Sequence, residues 1–163
     1  MEPILYLAYG SNLNLEDMAR RCPQAQVAGR ARLEGWRLAF RGGGSGFYLT
    51  LEACPGSSVP AGVWTVDPEG LQALDHYEGY PRLYTREFWP TAYQDQTGRE
   101  HQGRALIYLM RPHFPAGRPS QAYLEACRAG YRSFGFDPAP LDAALDRLSE
   151  RPEPWNRQGI AAP

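Results

Sequence analysis

The chain has 163 residues, of which 43% are hydrophobic and 21% charged, a globular composition that excludes a disordered tail or a coiled coil. Its 17 cations are all arginine and stand against 18 acids for a net charge of −1. Without lysine there is no P-loop, pyridoxal Schiff base or Ser–Lys dyad, and scattered arginines give no basic stripe for nucleic acid.

Residues 4–9 form a short apolar run closed by Gly10, the pattern of a buried first strand. Asn14 caps a short helix over 15–21, which Pro23 ends. Residues 26–40 alternate loosely as a long, bent strand, and the glycine-rich 41–46 stretch reads as a hairpin or loop. Strands are predicted over 47–53 and 59–66, separated by a turn at 54–58. Asp67, Pro68 and Glu69 start a helix: a capping acid, proline at the first helical position and an acid in the first turn. Leu71, Leu74 and Glu78 share one face of it, and Gly79 with Pro81 ends it. Residues 84–93 and 104–110 pair around a polar turn, Ser120 caps a helix reaching Phe134, and Leu141, Leu145 and Leu148 mark a last short one. About six strands with interspersed helices, in a chain with 17 glycines and 15 prolines, predict an α+β fold. Its curved, mostly antiparallel sheet or barrel occupies one domain over 1–150, followed by a Pro-rich C-terminal tail over 151–163.

Cys22, Cys54 and Cys127 are odd in number and form no CxxC pair, as expected for reduced thiols in a cytoplasmic protein. The first twelve residues lack the basic region of a signal peptide, and no apolar stretch approaches the ~18 residues of a membrane span. His76, His101 and His113 lack HxxxH or HExxH spacing, so neither a metal nor another cofactor is expected. Ser45 lacks the GxSxG register, and Phe47 stands where a GxGxxG motif needs its third glycine.

Two features carry chemistry. Tyr9-Gly10-Ser11-Asn12-Leu13 lies where a strand gives way to a helix, an arrangement that gathers backbone N–H groups on an anion or a carbonyl oxygen. Ordinary turn propensity accounts for the same residues equally well. Glu78 ends an apolar helical stripe at a helix C-terminus, where burial and the dipole both raise a carboxyl pKa. If the helix stops one residue earlier, Glu78 is instead a solvated carboxylate. Tyr80, Tyr84, Tyr108 and Tyr123 serve a pocket or fill core.

Taken together, the Tyr9–Leu13 motif and the downstream segment from Leu74 to Tyr84, with its Glu78-Gly79 pair, resemble the γ-glutamylcyclotransferase-like superfamily. The similarity continues through residues 104–110 and the late helix, and so spans roughly residues 4–148. The resemblance implies a small mixed barrel flanked by helices, with a cavity holding both motifs. It implies Glu78 as the catalytic acid, and Tyr9, Gly10, Ser11, Asn12, Leu13, Tyr84, Tyr108 and Tyr123 as substrate-binding residues. The implied reaction converts a small γ-glutamyl substrate to 5-oxoproline and releases an amine or amino acid, with no cofactor and neither nucleic acid nor membrane as partner. The same fold also accommodates a non-catalytic ligand-binding or accessory module. The glycine-rich 41–46 stretch departs from the family pattern and leaves the departing group open.

Overall fold

Residues 2–150 are described by a computed structural model; the Pro-rich 151–163 stretch lies outside the described residues. The first apolar run is β1 (Ile4–Ala8), followed by two long strands, β2 (Gln26–Gly43) and β3 (Gly46–Val66). The later pair is β4 (Tyr84–Gln94) and β5 (Glu100–Met110). They close a barrel in the order β1-β3-β2-β4-β5, in which β1 and β5 run parallel and the other neighbours antiparallel.

Among the described residues five strands stand where about six were expected, because β3 continues through the anticipated turn at 54–58. Pro55-Gly56-Ser57 does bend the chain, but as a bulge inside a ladder: Glu34 pairs with Ser58 and Trp36 with Ala53, leaving 54–57 opposite Gly35. Turn chemistry is local, whereas continuation of the ladder is decided by the partner strand. The second irregularity, between Val27 and Gly29, gives β2 the bend its loose alternation predicted. The glycine-rich stretch is a tight hairpin, with Gly43 opposite Gly46 across Gly44 and Ser45.

Among the described residues four helices flank the barrel: α1 (Leu15–Arg21), α2 (Pro68–Tyr77), α3 (Gln121–Phe134) and α4 (Ala139–Ser149). The three predicted side-chain caps form. Asn14, Asp67 and Ser120 accept from the N–H groups of Asp17, Gly70 and Tyr123 at 2.9, 2.7 and 3.1 Å. Leu38, Phe40, Leu49, Val63 and Leu106 belong to the buried core and are essentially inaccessible. No helix among the described residues is long and apolar enough to cross a membrane.

The contact that positions the later site is between α3 and the 3₁₀ turn Ser11–Leu13 that follows β1. A Cβ on Gly130 would lie 2.5 Å from the backbone carbon of Leu13, so only glycine allows this approach. Gly130→Ala is therefore expected to destabilise the fold by about 1–3 kcal/mol through overpacking. Thermal melting reads this as a fall of roughly 2–4 °C per kcal/mol. An unchanged melting temperature would contradict the tight approach.

Candidate active site

β1 delivers the chain into Tyr9 and Gly10, after which the 3₁₀ turn folds back on itself. Leu13 N–H reaches the Gly10 carbonyl at 3.0 Å and Asn14 N–H the Ser11 carbonyl at 2.9 Å. A turn of this kind leaves its first N–H groups free by construction. Those of Ser11 and Asn12 have no acceptor among the described residues. Gly10 is pressed between neighbours, since a Cβ there would stand 3.3 Å from both Leu49 Cδ1 and the Tyr123 hydroxyl.

The second motif is set by how α2 ends. Tyr80 N–H bonds the Asp75 carbonyl at 2.9 Å and Gly79 N–H the His76 carbonyl at 3.2 Å, with Gly79 at φ +66°. This pair of bonds is a Schellman closure, and its left-handed residue has to be glycine-like. The helix does stop at Tyr77, one residue before Glu78, yet Glu78 does not enter bulk solvent. As the capping residue it faces a cavity of about 290 Å³ that also receives the Tyr9–Asn12 segment.

Asn12 joins the two motifs. Its Nδ2 donates to the Tyr6 hydroxyl at 2.9 Å and, at the longer distance of 3.4 Å, to Glu78 Oε2. Oδ1 of the same amide accepts from Arg21 at 2.5 Å, and its backbone carbonyl from Trp64 Nε1 at 3.1 Å. Glu78 Oε1 has no hydrogen-bond partner among the described residues and is not sealed off, so it opens onto the cavity. Burial raises the Glu78 carboxyl to about 8, against which the Arg21 cation pulls downward.

The tyrosines around it are committed elsewhere. Tyr9 donates to the Tyr108 carbonyl at 2.6 Å, Tyr84 to the Leu49 carbonyl at 2.5 Å, and Tyr108 to Asp75 Oδ1 at 2.7 Å. Tyr123 accepts from Leu49 N–H at 3.0 Å. Burial holds all four phenols well above the ordinary tyrosine range. They are neutral walls, and the exposed His76 is the other titratable group of a different kind on the cavity.

Tyr9, Gly10, Ser11, Asn12, Glu78, Tyr84, Tyr108 and Tyr123 thus meet at one cavity. Leu13 does not: its side chain is fully buried in the core, and only its backbone helps shape the turn. Tyr80 also lies off the cavity, 37% exposed beneath the Arg86 guanidinium. Sequence reasoning missed Tyr6, Arg21, Tyr77 and the hairpin residues Ser45 and Tyr48. Nothing local marks Arg21.

The raised carboxyl has a consequence for stability. Folding tightens proton binding at Glu78, so the wild type loses stability as pH climbs from about 4.5 through about 8. Glu78→Gln carries no such proton. It is expected to melt above the wild type at pH values beyond 8, and the gap should close toward pH 4.5. Calorimetry across that range checks this, and an offset independent of pH would contradict it.

Similarity to known proteins runs along both chain and fold. The sequence model of the family described as Gamma-glutamyl cyclotransferase, AIG2-like, matches residues 6–126. The Homo sapiens protein named Gamma-glutamylcyclotransferase is 38% identical over 143 residues, which is 83% of this chain and 73% of that one. A solved Gamma-glutamyl cyclotransferase superimposes with a TM-score of 0.71 at 27% identity, covering 94% of this chain and 90% of its own. YkqA from Bacillus subtilis, at 20% identity and a TM-score of 0.72, covers 94% of this chain and 56% of its own, and shares the fold.

Proposed function

Because the chain belongs to the gamma-glutamyl cyclotransferase, AIG2-like family, we propose that it closes a small γ-glutamyl substrate into 5-oxoproline with Glu78 carrying the protons. The observation that supports this most is the placement of Glu78. A high-pKa carboxyl with one oxygen open to the cavity stands beside the loop that carries unpaired N–H groups.

The reaction needs no enzyme nucleophile. The substrate's own α-amine attacks its γ-carbonyl, forming the ring C–N bond, and the amide C–N bond to the departing amine then breaks. Holding the chain in a bent conformation makes the attack intramolecular, which is where most of the rate advantage arises. Glu78 as carboxylate takes a proton from the α-ammonium, which frees the lone pair for attack, and gives that proton to the departing nitrogen. It then takes the second proton from the ring nitrogen and releases it to the freed amine. The N–H groups of Ser11 and Asn12 supply donors for the substrate carboxylate or the oxyanion formed at the γ-carbon. The tyrosine walls fix the shape of the cavity and exclude water without competing for the proton.

A substrate panel tests the reading. γ-Glutamyl amino acids, γ-glutamyl amines and glutathione are incubated with the full chain, and 5-oxoproline is measured. At least one γ-linked donor is expected to give product, and the α-linked isomers no free 5-oxoproline, because the α-amine could reach their scissile α-carbonyl only through a three-membered ring. Saturable binding of these compounds with no product from any of them would contradict the enzymatic reading.

A further inference from the structure

We propose that Arg21 is a positioning residue for the cyclisation, clamping the 10–12 loop to the C-terminal end of α2 so that Asn12 presents a donor to Glu78. The inference rests on Glu78 being the proton carrier.

Arg21 stands in the last turn of α1, and two chains of contacts leave it. One arm donates to Asn12 Oδ1 at 2.5 Å. The face of the guanidinium covers the Tyr77 ring, with its carbon 3.5 Å from the ring centroid. Tyr77 in turn shares a 2.8 Å hydrogen bond with Ser11 Oγ. Both chains therefore end on the same loop, and one of them passes through the residue immediately before Glu78.

The chemical consequence concerns which way the Asn12 amide points. Arginine can only donate, so the amide oxygen must face Arg21, which leaves Nδ2 to face Tyr6 and Glu78. With Arg21 gone the amide is free to turn over. Its oxygen would then meet a protonated Glu78 and accept from it, stabilising the wrong protonation state. Lysine cannot replace the arrangement, because a single ammonium lacks the planar fork that bonds Asn12 while covering Tyr77.

The cation bears on the carboxyl directly as well. Tyr6 of β1, Tyr9, Tyr77 of α2, Tyr84 of β4, Tyr108 of β5 and Tyr123 of α3 all face Glu78 as neutral phenols. Arg21 is the charged group that opposes burial there among the described residues, and His76 lies exposed on the same cavity.

Arg21→Gln and Arg21→Lys are compared with wild type in kcat, KM, pH–rate profile and melting temperature on a confirmed substrate. Arg21→Gln is expected to lower kcat about 10- to 100-fold with KM within about threefold, as for misplacement of a catalytic group. The acid limb of its profile should move to higher pH. Arg21→Lys keeps the charge, so its limb should stay near the wild-type position while kcat still falls; this variant carries the test if the glutamine does not fold. A lower melting temperature with unchanged kcat and an unmoved limb would make Arg21 merely structural and overturn the proposal. So would full wild-type kcat in Arg21→Lys. An active Glu78→Gln would instead remove the reading on which the clamp rests, whereas an inactive Glu78→Gln beside an unimpaired Arg21→Gln removes the clamp alone.

Discussion

Glu78→Gln is expected to lower kcat by about 10²- to 10⁴-fold on any confirmed γ-glutamyl substrate, the usual cost of losing general acid–base assistance. Glutamine keeps the size of the side chain and can still meet Asn12, so the fold and substrate affinity should be retained and the loss should fall on kcat. Asp75, one helical turn earlier, is the control. It is the other carboxylate near the end of α2, but it is already spent: Oδ1 accepts from Tyr108 and Oδ2 pairs with Arg86. Asp75→Asn keeps an acceptor for the phenol and should stay within about tenfold of wild type, consistent with an exchange of one hydrogen-bond acceptor for another. Near-normal turnover in Glu78→Gln beside an inactive Asp75→Asn would reverse the assignment.

Asn12→Asp should be nearly as damaging, although it changes one atom. The amide nitrogen now 3.4 Å from Glu78 Oε2 and 2.9 Å from the Tyr6 hydroxyl would become a carboxylate oxygen. Two carboxylates at that separation raise each other's proton affinity, so Glu78 would be found as a carboxylate only at higher pH. The donor that favours its charged form would vanish at the same time. Arg21, which already bonds the other oxygen of this side chain, offsets part of the repulsion. A fall in kcat of about 10²-fold near neutral pH is expected, comparable with removal of one preorganised donor. Part of the loss should return as pH is raised. Rates within about threefold of wild type at every pH would contradict the role given to the amide.

Most of the framework could be read locally. Asn14, Asp67 and Ser120 signal their helices through side-chain caps that form as the sequence predicts. Gly79 ends α2 by the left-handed closure its identity suggests. The strand count failed at 54–58, where proline, glycine and serine give turn chemistry that the β2 ladder absorbs as a bulge. The site divides in the same way. Glu78 and the 9–12 segment are marked by motif and helical position, whereas Arg21 meets Asn12 only because α1 folds back beside the loop it follows. Leu13 shows the opposite error: adjacency in the motif suggests a ligand contact, but the 3₁₀ turn swings its side chain into the core. Periodicity places residues on a face of their own element, and the pairing of faces is a tertiary fact.

The most direct measurement is the pH dependence of kcat/KM for wild type and Glu78→Gln, followed by 5-oxoproline formation on one γ-glutamyl substrate. The wild type should rise along an acid limb centred near the Glu78 value of about 8, because the carboxylate is the form that accepts the ammonium proton. In Glu78→Gln that limb should be absent and the residual rate should lie about 10²-fold or more below wild type. The same limb persisting in Glu78→Gln, at an undiminished rate, would contradict the assignment of proton transfer to Glu78.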